Sequence, residues 1–315
     1  MRRAAHFALH LGTLAAAPVG GNEAAMTSLA ALTSEDGRQI DALFTGSGCE
    51  HVYLDVGTNR GVQIRKLFWP SLYPKASVRK FFNHAFGPPT RRCRTCAIGI
   101  EPNPRHHPRL EVLQRQLATA GARVLILRGA ASNQDGMTTF AMANLTRGDK
   151  QHDWSASGAS WMQKRFNLPS RLQVRTIDLA RVIQRVGHNL RARGGGNIWM
   201  KLDIEGAELH VLPHLFVTRA ICELYEVDIE WHSKFLRQAA STTRANAREN
   251  AAWHTAIAAS DAAYRLVHQT LRCRQNNFTV PKQLAGCQTR VVETYDESYS
   301  WDPIKKWTTT VPGCL

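Results

Sequence analysis

The chain has no uninterrupted run of about 20 apolar residues, the length a membrane-spanning helix requires, so no transmembrane segment is expected. It has no second C-x-x-C to complete the lone pair Cys93–Cys96. It also has no histidine at the short spacing of a closed zinc site, so no metal site is assigned. The G-x-G-x-x-G fingerprint of dinucleotide-binding turns is missing, and no internal repeat is visible. Acidic residues are scarce: 25 Asp+Glu stand against 40 Lys+Arg, a formal charge of +15. That excess permits a nucleic-acid or acidic partner. The arginines are scattered, however, and no aromatic-interleaved RNA motif accompanies them, so a compositional bias is the simpler account.

What is present fits one large α/β domain. Residues 1–48 read as a leader and one helix, 49–300 as the main domain, and 301–315 as a tail. The leader, "MRRAAHFALHLGTLAAAPVG", contains no acid before Glu23. It is compatible with a secretory signal, an organellar transit peptide or a plain start, which leaves the compartment open between cytoplasm and lumen. Of the seven cysteines, Cys273 and Cys287 bracket a short loop and suit a disulfide in a lumen; the odd count leaves at least one thiol unpaired.

Apolar runs alternate with helical spacing. "HVYLDV", "AIGIE", "RVLILR", "IWMKLD" and "CELYEVDIE" read as buried strands, with helices after the first, second and fourth. "MTTFAMANL" reads as a hairpin arm, and "LQVRTIDLARVIQRVG" as a short strand running into a helix. A long helix is expected over about 241–262. "YRLVHQTLRC" and "TRVVETYD" follow one another without a helix, so they are expected to close one edge as an antiparallel pair. The proline-rich stretch at about 69–95 reads as an inserted loop with a short helix at most, able to cover a site or dock a partner. Strands separated by helices imply a mostly parallel sheet covered on both faces.

In such sheets ligands sit beyond the carboxyl ends of the strands. Asp55, Glu101, Ala130–Ser132, Asp203 and Glu230 all fall at or just after expected strand ends. The turn after the first strand reads D-x-G-x-N-x-G. Its glycines, Gly57 and Gly61, permit close backbone approach, and its leading carboxylate suits a ligand carrying an amine. Glu101 can accept hydrogen bonds from vicinal ribose hydroxyls. An amine, a carboxylate and a ribose together describe S-adenosylmethionine.

Three stretches, "YLDVGTNRG" at 53–61, "AIGIEPNP" at 97–104 and "WMKLDIEGAELHVL" at 199–212, resemble the FkbM-type class I S-adenosylmethionine-dependent methyltransferases. The third is the most specific, through K-x-D-x-E-G-A-E. The resemblance runs from about 50 to 232. It implies a Rossmann-like seven-stranded, mostly parallel sheet with helices on both faces and the last strand antiparallel, and methyl transfer usually to a hydroxyl oxygen. It further implies that Asp55, Gly57, Thr58, Asn59 and Gly61 line the methionine half of the cofactor. Glu101 and Asn103 would serve the ribose, Ala130 and Ala131 the adenine, and Asp203 and Glu205 the methyl acceptor.

A hydroxyl acceptor needs a base, and Asp203, Glu205 and His232 are the candidates. His232 is attractive for its ordinary pKa near neutrality. Asp203 could instead cap the following helix, and Glu208 complement its dipole. Lys201, inside a strand, needs a partner, expected in Glu230 or Asp228. A lesser variant places Mg²⁺ on Asp203, Glu230 and His232. "WSASGAS" at 154–160 could close over the cofactor. The expected acceptor is a hydroxyl on a small molecule, glycan or lipid-linked compound. The alternatives are a nucleic-acid methyltransferase and a non-catalytic cofactor-binding protein; against the former, "DIEG" stands where an N-P-P-[YF] loop for base amines would be.

Overall fold

The structure, a computed structural model, describes residues 35–46, 48–142, 156–157, 170–232, 254, 257–258, 261–262 and 289–292. Its elements run α1 (Glu35–Leu43), β1 (His51–Val56), α2 (Val62–Phe68), α3 (Val78–Phe86), β2 (Thr95–Glu101), α4 (His107–Thr119), β3 (Arg123–Arg128), β4 (Ala130–Ser132), β5 (Gly136–Met142), β6 (Ala156–Ser157), β7 (Ser170–Asp178), α5 (Leu179–Arg191), β8 (Ile198–Leu202), α6 (Glu208–Val217), β9 (Glu226–Ile229) and β10 (Arg290–Val292).

The main sheet has the order β10-β9-β8-β1-β2-β3, and every pairing in it is parallel. The α/β class and the parallel sheet therefore match the sequence reading. The expected seven strands with an antiparallel last one do not: six strands are described, and β10, within "TRVVETYD", runs parallel to β9. A parallel partner needs a long crossover, and the chain from Ile229 to Arg290 supplies one. Most of that crossover, including "YRLVHQTLRC" and most of the helix expected at 241–262, lies outside the described residues, as do residues 1–34, the pair Cys273 and Cys287, and the tail.

Alternation along the strands splits the core in two. Val52, Leu54 and Val56 join Ile98, Ile100, Leu125 and the buried sides of α5 and α6 on one face. Tyr53, Ala97, Ile126 and Trp199 face α2, α3 and α4 on the other. Strands buried on both sides explain the near-continuous apolar runs. The insertion at 69–95 belongs to this second face. Its helix α3 seats Phe82 and Phe86 against Tyr53 and Trp199, with ring centroids 5.2–6.4 Å apart. Buried Arg92 ties it down by donating to Leu67 O at 2.5 Å and Asn83 Oδ1 at 2.6 Å.

A second, four-stranded sheet has the order β4-β7-β5-β6, with β5 antiparallel to β7 as the expected hairpin arm. Of "WSASGAS", only Ala156–Ser157 is described, as β6. Asp178 caps α5 by accepting from Ala180 N at 3.0 Å. Helix α1 is clamped to this region by Arg175, which donates to both oxygens of Asp36 at 2.6 and 2.8 Å.

A disulfide joins Cys49, before β1, to Cys96 in β2, with Cα atoms 5.4 Å apart. Cys96 is therefore not half of a zinc site, and the bridge was not expected from the sequence.

Candidate functional site

The strand order reverses at β1: β2 and β3 lie to one side, β8, β9 and β10 to the other. The tips of β1, β2 and β8 meet there, where open α/β sheets bind ligands. Gly57 N and Thr58 N donate to Ile100 O at 3.0 and 3.1 Å, and Asp203 N donates to Val56 O at 3.0 Å. The turn after β1 is thus sewn to both neighbours.

A groove opens above this junction. Its inner part, about 50 Å³, is lined by Gly57, Asn59, Glu101, Asn103, Asp203 and Glu205, among others. Its outer part, about 380 Å³, lies under Met137, Thr138, Thr176 and His210. Ala130, Ala131, Phe140 and Ala207 line both. The total is within the range of small-molecule sites, about 300–1,000 Å³.

Glu101, the last residue of β2, is the best-defined wall. Its carboxylate accepts from Asn59 N at 2.6 Å and from Asn103 N at 2.8 Å. Asn59 reaches it from a left-handed conformation, φ 52°. Each oxygen keeps a further acceptor site. Burial pushes the carboxyl up to about 7, against the pull of those two amides. His106 is also on the wall, a residue that nothing in the sequence singles out. Its Nε2 lies 3.3 Å from Asn103 Nδ2, and burial with the nearby Arg60 and Arg109 lowers it to about 4. It is neutral at pH 7.

Asp55, Thr58 and Gly61 do not join the groove wall. Asp55 is fully buried one position inside β1 and receives Tyr53 Oη–H at 3.3 Å; its Oδ2 has no hydrogen-bond partner. Burial, opposed by Lys201, pushes its carboxyl up to about 6. Thr58 Oγ1 is buried and donates to Asp55 O at 2.5 Å. Gly61, at φ 73°, lies where a Cβ would meet Leu113 Cδ2 at 2.3 Å. Its glycine serves helix packing. Gly57 does reach the wall, but a Cβ there would strike Asp203 O at 1.7 Å, so it too is demanded by strand-tip packing.

Opposite Glu101 stands an acidic corner at the end of β8. Lys201 donates to Asp203 Oδ2 at 2.7 Å. Burial works against the Asp203 charge, but Lys201 and His232 hold its carboxyl below the usual range. Asp203 caps no helix: Ala207 is the N-cap of α6, without a side-chain bond. Glu205 is half-buried at φ 53°, and burial with the surrounding carboxylates pushes it up to about 8, against His232. His232 is 4% exposed and stands behind this pair, with Nε2 3.6 Å from Glu205 Oε2 and 3.8 Å from Asp203 Oδ1. Burial disfavours its charge, yet Glu208, Glu205 and Asp203 together raise it to about 10. These carboxylates favour the protonated ring, so a ligand or base role for Nε2 would require that proton to leave.

Glu208 was underrated. It is 1% exposed, accepts from Ile204 N at 3.0 Å and holds His232 Nδ1 at 2.9 Å. Its place in the 199–212 stretch was the only signal, and helix-dipole reasoning gave no hint of the imidazole. Comparison of the chain with models of known families, with curated proteins and with solved structures finds no match.

Proposed function

We propose that this protein is an S-adenosylmethionine-dependent methyltransferase acting on a hydroxyl oxygen of a small molecule, glycan or lipid-linked acceptor. The observation that carries the reading is Glu101: a buried strand-tip carboxylate, locked in orientation by two backbone amides, on the wall of a groove at the switch point. A ribose diol is the ligand such a carboxylate fits. The other walls suit the remaining parts of the cofactor. Ala130, Ala131, Phe140 and Ile100 offer apolar surface to an adenine ring, and Asp203 offers negative charge to an ammonium or a sulfonium. Asp55 is sealed beneath the turn and lies off the groove wall, beside Lys201 on the same sheet face.

Bound S-adenosylmethionine supplies an electrophilic methyl group on a positively charged sulfur. The chain's own residues orient the acceptor and take its proton. Of the three candidates only Asp203 and Glu205 line the groove, and Asp203 is engaged by Lys201. Glu205 is therefore the base, and His232, in contact with it, is a positioning residue.

Calorimetric titration of the full chain with S-adenosylmethionine tests the reading. A single site is expected, weakened at least about tenfold in Glu101→Ala, since charge-assisted hydrogen bonds contribute about 1.5–3 kcal/mol each. Unchanged binding in that variant would sink the assignment. A labelled-methyl screen against glycan, lipid, nucleic-acid and small-molecule fractions then identifies the acceptor.

A further inference from the structure

We infer that Asp203 Oδ1, Glu205 Oε2 and His232 Nε2 form a binding site for a divalent transition cation. Ligand atoms of the three residues lie within 4.8 Å of one another. The two separations from Nε2, 3.6 and 3.8 Å, are close to the spacing of about 3.4 Å between neighbouring ligands on one ion at bond lengths of about 2.1 Å. Small side-chain adjustments would close the set.

Three further observations bear on the choice between an ion and a plain acidic turn. The first is the division of Asp203: Oδ2 pairs with Lys201 while Oδ1 lies 3.8 Å from the imidazole, and Glu230 also hydrogen-bonds this carboxylate, so several donors already converge on it. The second is the support behind His232. Metal-binding histidines usually hand their other ring nitrogen to a carboxylate, which fixes the ring. Glu208 does this at Nδ1 from full burial, itself held by Ile204 N. The third is Asp55. β1 and β8 pair Asp55 with Lys201, so both side chains share a sheet face, and Asp55 Oδ2 is a buried oxygen without a hydrogen-bond partner. Asp55 thus gives Lys201 a second carboxylate on the same face.

The donor set selects the metal. Two carboxylates and an imidazole suit Mn²⁺, Fe²⁺ or Zn²⁺ better than Mg²⁺, which favours oxygen donors and water. Three protein ligands leave coordination positions open, and Asp203 and Glu205 already border the groove, so a ligand oxygen can complete the shell. The set differs from the Mg²⁺ variant considered from the sequence by using Glu205 in place of Glu230.

This inference does not depend on the methyltransferase reading; an ion here would take Glu205 from the base role assigned above, and the test separates the two. Chelator-treated full-length protein is titrated with Mn²⁺ alone, by calorimetry and by electron paramagnetic resonance with detection of ¹⁴N coupling. One ion per chain is expected, with nitrogen coupling that disappears in His232→Gln. Glu205→Gln, at a partly buried position, and Glu208→Gln, which keeps volume and one acceptor, should each weaken Mn²⁺ at least about tenfold, as loss of a ligand or of its supporting carboxylate does. Far-UV circular dichroism confirms that each variant is folded. Absence of stoichiometric binding at millimolar Mn²⁺, nitrogen coupling unchanged in His232→Gln, or parental affinity in Glu205→Gln overturns the site. Mn²⁺ binding without S-adenosylmethionine binding overturns only the function proposed above.

Discussion

Reducing the Cys49–Cys96 bridge should cost a large share of the protein's stability. The bridge closes a loop of 47 residues that contains β1, α2 and the whole insertion with α3. Constraining the unfolded chain over that length is worth about 4 kcal/mol in the loop-entropy treatment. Total stabilities of natural domains are about 5–15 kcal/mol, so the loss would be a quarter or more. The folded state gains no offsetting relief. Cys49 is 3% exposed and Cys96 fully buried, and β1 and β2 are already in register from His51↔Thr95 to Val56↔Ile100. Equilibrium urea melts with and without a phosphine reductant measure the difference. The Cys49→Ala, Cys96→Ala double variant serves as control, because reductant should not move its midpoint further through this bridge. A shift worth less than about 1 kcal/mol, or alkylation of Cys49 and Cys96 in the unreduced native protein, would refute the reasoning. A bridge of this kind is characteristic of oxidising compartments.

Two further expectations concern the groove. Glu101 must be ionised to accept from a diol, so S-adenosylmethionine affinity should fall as pH drops through about 7, approaching tenfold per pH unit below it; a flat calorimetric profile from pH 5.5 to 8.5 contradicts this. In the ligand-free protein the sign reverses. Unfolded Glu101 ionises near 4.5 while the folded residue keeps its proton to about 7, so its contribution destabilises as pH rises across that window, and Glu101→Gln should flatten the dependence. Gly57→Ala combines a φ of +82° with a Cβ 1.7 Å from Asp203 O and should cost about 2 kcal/mol or more; Gly194→Ala, at φ +96° with open space around it, should cost only the conformational part, about 1 kcal/mol. Equal urea midpoints for the two variants would show that the strand-tip contact does not matter.

Much of the frame was legible because its signals are local. Apolar runs marked the strands of the main sheet, several of them closing on an acid, and Gly121, at φ 86°, follows α4 as a left-handed glycine should. What failed depended on chain pairing. A bridge between Cys49 and Cys96 cannot be told from other pairings of seven cysteines by counting. The direction of the last strand was inferred from an expected neighbour at 264–273, yet the described partner of β10 is β9, reached by a long crossover.

The misplacement of Asp55 has the same origin and can be put in ångströms. From sequence, Asp55, Glu101 and Asp203 look equivalent, each an acid closing an apolar run. The ladders pair Asp55 with Gly99 and with Lys201. Glu101 and Asp203 are each two residues beyond those partners. At about 3.3 Å per residue, Asp55 lies roughly 6–7 Å below the level at which the other two emerge. That offset turns one carboxylate into a buried counter-charge for Lys201 and leaves the other two on the groove wall. Register, which no single strand encodes, therefore decides which acids can meet a ligand. It also implies that exchanging Asp55 should disturb Lys201 and Asp203 first, and the groove only through them.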